Sequence, residues 1–427
     1  MTDVWNIVTR RDFLRQAWRW GVAAGGAGVA LSSPAWLKWL NRRENGKALA
    51  ANAAEELARN APRARFWIAA DQQGVRCLEC HPPNAQECHH PETGELLTEH
   101  THSNAYVKCL LCAQTCLIPE GERGGCRARM NVGGELRSLV YGRPISIHVD
   151  PIEKKPFYHF LPGSSAYSLA TAGCPLHCKF CQNWELSQSR PEDHQTDFVS
   201  PDRIVSGAQS CSVPVIAFTY NEPTVFTEYL LDIAARGREA GVRSVLISCG
   251  FMTEAPLTEM CQALDAIKID LKGFSPDFYH NVCSADLQPV LRSIKQVARS
   301  GVHLEIVNLV VPTLNDSDTM MRGLVDWMAG ELGPDVPVHF TRFHPDYQLM
   351  NLPPTPVATL EKARDMAMEC GIHYAFVGNV PGHPGNNTYC PSCHKAVIKR
   401  SNFFVVESNM KNGKCGFCGT PIAGVWQ

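Results

Sequence analysis

Cysteine spacing constrains this chain more than any other feature. Nineteen cysteines occur in 427 residues, and fourteen of them fall in four tight groups. The groups are Cys77, Cys80 and Cys88; Cys109, Cys112, Cys116 and Cys126; Cys174, Cys178 and Cys181; and Cys390, Cys393, Cys415 and Cys418. A free cysteine behaves as a small buried hydrophobe, which suits the isolated Cys211, Cys249, Cys261, Cys283 and Cys370. Cysteines two residues apart in so large a chain read instead as metal or cluster ligands, ahead of a disulfide framework. The surrounding composition is that of a folded protein, 44% hydrophobic and 19% charged, which argues against extensive disorder. Forty Lys+Arg face forty-two Asp+Glu. No basic excess calls for a nucleic-acid partner, and none is expected.

The length suggests two or three domains, and the pattern divides the chain into four stretches. Residues 1–50 read as a leader or anchor. Residues 51–150 read as an Ala-rich linker helix over 51–75 followed by a Cys- and His-rich metal-binding module. Residues 151–380 carry short apolar runs that alternate with helical stretches, and 381–427 form a small four-cysteine ribbon with a β-rich stretch at Phe403–Val406. The runs are Tyr167–Thr171, Val213–Thr219, Arg243–Ser248, Ala266–Ile269, Leu304–Val311, Val336–Phe340 and Tyr374–Val377. Between two of them Phe226, Tyr229, Leu230, Ile233, Ala234 and Gly237 repeat at helical spacing, as do Val290, Leu291, Ile294, Val297 and Ala298 between two others. Thr355 and Pro356 read as the cap and first turn of a third helix. Such alternation predicts an α/β fold with a parallel sheet, barrel or doubly wound. Ligands are then expected at the carboxyl ends of its strands.

Cys174-Pro-Leu-His-Cys178-Lys-Phe-Cys181 follows the first of these strands. Three thiolates can hold three irons of a cubane and leave the fourth without a protein ligand, and an open position marks a catalytic rather than a structural metal site. This spacing after a strand resembles the radical S-adenosylmethionine (SAM) superfamily, in which SAM chelates the open iron. Phe180 fits that family's aromatic residue before the last cysteine. Thr219-Tyr220-Asn221-Glu222-Pro223 sits where the family places a Gly-Gly-Glu-type turn, so Asn221 and Glu222 are expected at SAM, with Glu222 accepting from its ammonium. Asp270 and Lys272, two apart on one strand face, are expected to hold polar groups of SAM or a substrate carboxylate. The stretch Asn308–Asn315 resembles the fifth strand of activating enzymes, where adenosine packs. His344 is expected either at SAM or as a structural residue of its turn.

The motifs narrow the resemblance. Asp150-Pro-Ile-Glu-Lys-Lys-Pro-Phe-Tyr-His-Phe160, Cys181-Gln-Asn-Trp184, Gly378-Asn379 and Asn387-Thr-Tyr-Cys-Pro391 look like the radical SAM member of the AmmeMemoRadiSam group, itself similar to pyruvate formate-lyase activating enzymes. The resemblance runs from about Lys108 to Trp426. It implies a partial (β/α)6-type barrel, a [4Fe–4S] cluster on Cys174, Cys178 and Cys181, and SAM cleaved to methionine and a 5′-deoxyadenosyl radical that abstracts hydrogen from a substrate. It also implies a low-potential electron donor as a partner. No side chain is assigned to the chemical step, and the substrate, protein or small molecule, stays open. The rival reading is an exported, non-catalytic iron–sulfur or metal electron carrier.

The outer groups have their own readings. Cys390, Cys393, Cys415 and Cys418 form two knuckles about twenty residues apart, the signature of a tetrahedral S4 site holding zinc, or iron in second place. Such an ion staples a module too small for its own core. Cys109, Cys112, Cys116 and Cys126 suit zinc and an auxiliary iron–sulfur cluster equally, with Gly121, Gly124 and Gly125 letting the chain turn back. Cys77, Cys80 and Cys88 suit zinc or an iron–sulfur site. Cys77-Leu-Glu-Cys80-His81 also matches a c-type haem attachment, a five-residue motif that ranks with no metal at all behind zinc or iron–sulfur, which nearby Cys88, His89, His90 and His102 suit. That insert and the leader depart from the family pattern.

Thr9-Arg10-Arg11-Asp12-Phe13-Leu14-Arg15 ahead of a Gly/Ala-rich run from Gly21 to Leu31 resembles a twin-arginine export signal. This makes the twin-arginine machinery an expected partner and a periplasmic or membrane-associated location the first reading. Small-residue cleavage candidates lie at Ala48–Ala50 and Ala51–Ala53, while Trp36, Leu37, Trp39 and Leu40 could hold an uncleaved anchor. SAM and low-potential reductants are cytosolic, so a cytoplasm-facing enzyme is the alternative. Because the apolar run is short and weak, a receptor must read the arginine pair. Replacing Arg10 and Arg11 by Lys is expected to leave the protein in the soluble cytoplasmic fraction with its metal content unchanged. Fractionation like the wild type would instead indicate a plain amphipathic helix.

Overall fold

A computed structural model describes residues 56–69 and 106–427. The leader, its cleavage candidates and the Cys77, Cys80 and Cys88 group lie outside the described residues. The linker reading changes where it can be followed: residues 56–60 are helical, but Trp67–Ala69 is a strand, β1. It pairs antiparallel with β2 (Val107–Cys109), which pairs in turn with β3 (Leu117–Ile118). A hairpin of β4 (Arg129–Val132) and β5 (Glu135–Ser138) completes this module.

The main sheet has eight strands. In chain order they are β6 (Ser146–Pro151), β7 (Ser165–Ala170), β8 (Val215–Phe218), β9 (Arg243–Ser248), β10 (Ala266–Asp270), β11 (His303–Val310), β12 (Val338–Arg342) and β13 (Ala375–Gly378). Spatial order follows sequence order from β13 to β6, and every pair is parallel except β6 with β7. Seven parallel strands therefore carry six helical crossovers, which fits the (β/α)6-type expectation. The antiparallel β6 at one edge has no counterpart in the sequence reading. Its residues His148 and Val149 are exposed, so it offers no apolar run.

Crossover helices cover the outer face: α1 (Pro201–Ser210), α2 (Thr227–Glu239), α3 (Glu254–Ala263), α4 (Leu287–Ser300), α5 (Asp318–Leu332) and α6 (Val357–Glu369). Their starts are locally encoded. Ser200 and Ser317 cap α1 and α5 by accepting from the backbone N–H of Arg203 and Met320, each such cap contributing about 1 kcal/mol. The stripes Tyr229, Leu230, Ile233, Ala234 and Val290, Leu291, Ile294, Val297 are buried as the spacing predicts. Thr355 differs from its expected capping role. Its hydroxyl donates to Val310 O at 2.6 Å and accepts from Phe343 N at 2.9 Å, tying the ends of β11 and β12, while Pro356 occupies the cap of α6 without a side-chain bond.

Because both faces are covered, β8 is buried at all four positions, and alternate residues serve two cores. Ile216 and Phe218 join the large cluster beneath the helices. Val215 and Ala217 face a smaller cluster with Ala166, Val245 and Ala266, plugged by Phe157 and Phe160. The plug is held by Glu305 of β11. Its fully buried carboxylate accepts from the backbone N–H of Tyr158 at 2.9 Å and of His159 at 2.8 Å, and from His339 Nε2 at 2.6 Å. Arg400 donates to Tyr158 O at 2.7 Å and sits 3.7 Å from Glu153, both side chains wholly buried. Arg400 belongs to the C-terminal module: β14 (Thr388–Tyr389), β15 (Ala396–Ser401) and β16 (Phe404–Ser408) in one sheet, and β17 (Met410–Lys411) with β18 (Lys414–Cys415) in a hairpin.

His159 is sealed between these parts, its Nδ1 2.7 Å from Ala423 O. Burial pushes its imidazole down to about 3, against the opposing pull of Glu305. An unfolded histidine takes up its proton near pH 6.5, so between these values the unfolded chain binds more protons and stability rises with pH. The contribution is complete above the unfolded value and is lost as pH falls below it. Between pH 7.5 and 5.5 the wild type is expected to lose about 1.4 kcal/mol through this group. His159→Gln should show a correspondingly shallower pH dependence of its urea midpoint, followed by tryptophan fluorescence. An identical slope in both proteins would contradict the assignment.

Candidate active site

The carboxyl ends of β7 to β13 open into a cavity of about 500 Å³. Cys174, Cys178 and Cys181 line it, on the loop that leaves β7. That loop is clamped from several directions. Gly173 N donates to Leu186 O at 3.0 Å, His177 N to Cys283 O at 3.0 Å, and Lys179 N to Val282 O at 3.0 Å. Asn221 Nδ2 donates to Gly173 O at 2.8 Å and Gln188 Nε2 to Leu176 O at 3.0 Å. Gly173 is obligatory here. Its φ is +94°, and a Cβ would stand 2.3 Å from Cys126 O.

The turn after β8 brings Asn221 and Glu222 to the same cavity. Glu222 Oε1 accepts from Thr224 N at 3.1 Å and from Ser248 Oγ at 2.8 Å, and Oε2 accepts from Cys249 N at 2.7 Å. A carboxylate oxygen can accept two hydrogen bonds, so Oε2 keeps a lone pair for a further donor. Asn221 spends its amide N–H groups on the cysteine loop, and its buried Oδ1 has no partner. An orphaned acceptor beside a carboxylate is what a buried ammonium group needs, because an unmatched polar atom costs about 1–3 kcal/mol.

At the end of β10, Asp270 lies between two ammonium groups. Lys268 Nζ donates to its Oδ1, and Lys272 Nζ stands 3.4 Å from Oδ2. Burial opposes the charge on Asp270, but the two lysines hold its carboxyl below the usual range. Across the cavity a second such group forms, with Lys154 and Lys155 on the two oxygens of Asp150 at 2.8 and 2.6 Å. Burial draws Lys155 down to about 8, although Asp150 favours its charged form. Each Lys–Asp–Lys set carries a net positive charge, so the cavity suits an anionic group.

The structure corrects the placement of His344. It is exposed on the turn after β12, with Nδ1 3.2 Å from Pro345 O, and does not line the cavity. Phe343 packs inward and its N–H is held by Thr355, which turns the next residue out. Thr341 and Asn379 line the cavity at the ends of β12 and β13 instead. Sequence reasoning also missed Lys155, Lys268 and Cys249. The last two sit on or just beyond apolar strand runs, where a polar residue was itself the signal. Cys283, read as a buried hydrophobe, is buried, and its backbone carbonyl accepts from His177 N.

The sulfurs sort the sites. Among the described residues, Cys390, Cys393, Cys415 and Cys418 are the one set of three or more metal-type side chains whose ligand atoms all lie within 4.8 Å of one another. Cys390 and Cys418 sulfurs are 3.5 Å apart, and Cys393 and Cys415 sulfurs 3.7 Å. A tetrahedral ion with Zn–S near 2.3 Å requires about 3.8 Å between sulfurs, so this set fits one ion. The thiols of Cys174, Cys178 and Cys181 do not all lie within 4.8 Å of one another, which ligands of three different irons need not do.

The profile of the radical SAM superfamily matches residues 168–323, from within β7 to within α5. It therefore takes in the three cysteines, Glu222 and Asp270. An uncharacterised protein of Methanocaldococcus jannaschii is 42% identical over 318 residues, 74% of this chain and 95% of that one. The chain belongs to the radical SAM superfamily. A pyruvate formate-lyase-activating enzyme of Clostridium pasteurianum is 24% identical over 157 residues, 36% of this chain and 65% of that enzyme. Among solved structures, a domain of such an enzyme from Bacteroides vulgatus covers 38% of this chain and 98% of its own, at 16% identity and a TM-score of 0.35. Membership makes this chain a radical SAM enzyme, and it implies a [4Fe–4S] cluster and SAM. The triplet's open fourth position and the orphaned Asn221 Oδ1 fit both.

Proposed function

We propose that this chain reductively cleaves SAM and takes a hydrogen atom from a polypeptide substrate, in the manner of activating enzymes. The observation that carries the SAM reading is the unpartnered Asn221 Oδ1 beside Glu222, both lining the cavity of the three thiols. Cys174, Cys178 and Cys181 would hold the cluster, which would supply the one electron that reductive cleavage of SAM requires. The remaining work falls to the chain. Asn221 and Glu222 hold the ammonium of SAM by a charge-assisted contact. Lys272 and Lys268, kept charged by Asp270, offer a site for a carboxylate. Val307 and Leu309 of β11, which line the cavity, supply the apolar wall for adenosine. Enclosure by the seven strands keeps water from a reactive carbon radical.

A polypeptide substrate is supported by the activating-enzyme relative and by Phe403. This exposed residue at the tip of the β15–β16 hairpin lines the cavity, next to exposed Phe404 and Val406. On this reading the twin-arginine-type leader keeps the enzyme at the membrane with its barrel on the cytoplasmic side, where SAM is available.

Reduced by dithionite, the wild type is expected to release 5′-deoxyadenosine from SAM, and Cys178→Ala none. Glu222→Gln keeps an acceptor for Cys249 N but loses the charge. It should retain its iron and need about 10- to 100-fold more SAM, the equivalent of a charged hydrogen bond. A cluster-loaded, reduced wild type that releases no 5′-deoxyadenosine would defeat the reading.

A further inference from the structure

Cys109, Cys112, Cys116 and Cys126, from β2 and the loops around β3, converge on one closed cavity beneath the catalytic loop. Pro175, the residue after Cys174, and Thr224 and Val225 beyond Glu222 line the same cavity. Cys126 O touches Gly173, and Gln114 Nε2 donates to Pro175 O at 3.3 Å. The backbone around the cysteines is fixed. Cys109 N donates to Cys116 O at 2.9 Å, Thr115 N to Cys112 O at 3.0 Å, and Cys112 bridges Met252. A Cβ on Gly124 would stand 3.3 Å from Ile118 Cδ1, tighter than ordinary contact.

Two features indicate what fills this space. First, no three of these four bring their sulfurs within 4.8 Å of one another, whereas the C-terminal four do. A single ion would have to draw four thiols on this fixed backbone inward to about 3.8 Å spacing. A cubane, with each thiolate on its own iron, takes them spread, as the catalytic triplet is. Second, Arg129 lines this cavity, is 1% exposed, and its Nε has no acceptor. Its other nitrogens are committed, with Nη2 on both oxygens of Glu228 at 2.6 Å and Nη1 on Arg65 O at 3.0 Å. A buried N–H without a partner calls for an acceptor in the cavity, and cluster sulfurs accept such bonds.

We infer that Cys109, Cys112, Cys116 and Cys126 ligate a second four-iron cluster against the back of the catalytic loop, and that zinc is confined to the C-terminal four. The site is independent of how SAM is used.

The test removes the other candidates for iron. The full chain with Cys174, Cys178 and Cys181 replaced by Ala, and Cys77, Cys80 and Cys88 by Ser, is purified without oxygen and analysed for iron, sulfide and zinc. The expected content is about four iron and four sulfide with about one zinc, and an S = 1/2 EPR signal after reduction. Adding Cys116→Ala and Cys126→Ala should remove the iron and sulfide and keep the zinc. Two zinc without iron would overturn the inference, as would one zinc without iron, or iron that survives the second pair of substitutions. Zinc content of the Cys77, Cys80 and Cys88 variant alone separates the same alternatives without disturbing the catalytic loop: one equivalent supports the cluster and two overturn it.

Discussion

On the proposed function, a catalytic cluster with only three protein ligands must be positioned by everything except a fourth ligand. The loop from Gly173 to Cys181 meets that constraint by borrowing rigidity. Backbone carbonyls of Leu186, Val282 and Cys283 accept from it, and the side-chain amides of Gln188 and Asn221 donate to it. Gly173 lets the N-terminal module pack directly against its start. Asn221 combines two tasks, since its amide N–H groups hold the loop while its Oδ1 is left for a ligand. Binding and positioning are thus carried by one side chain.

Buried charges at the opposite end of the strands serve a different purpose. Glu305 gathers two backbone N–H groups and two histidines, and Arg400 joins the ribbon to the Phe157–Phe160 plug. Removing one partner of such a pair costs about 3–5 kcal/mol, because the other is left buried and uncompensated. Little of that figure is net stability of the pair itself. What the arrangement secures is a fixed relation between the ribbon and the barrel, and so the placement of Phe403 at the cavity.

Much of this was legible in the sequence, for identifiable reasons. Strands buried on both faces leave continuous apolar runs, so all seven parallel strands stood out within about two residues of their observed ends. Helix stripes at Tyr229–Gly237 and Val290–Val297 follow from one buried face. Cysteine spacing picked out the C-terminal four, whose sulfurs the fold brings together, because the geometry of short loops is a local property. Non-local properties escaped. The edge strand β6 is half exposed and so carries no run, Thr355 bonds strand ends that come together only in the fold, and His344 is turned outward by its neighbour. Spacing alone also leaves zinc and cluster equivalent at Cys109–Cys126. Only the distances between sulfurs separate a single-ion tetrahedron, present at Cys390 and Cys418, from the wider sets.

Every functional role assigned to the cavity depends on SAM reaching the open iron beside Asn221 and Glu222. The most direct measurement is EPR of the reduced full-length protein before and after SAM is added. Ligation by the amino and carboxylate groups of SAM changes the field at one iron, so a component of the spectrum is expected to shift its g values. A fully loaded, reduced protein whose spectrum is unchanged by saturating SAM would contradict that placement.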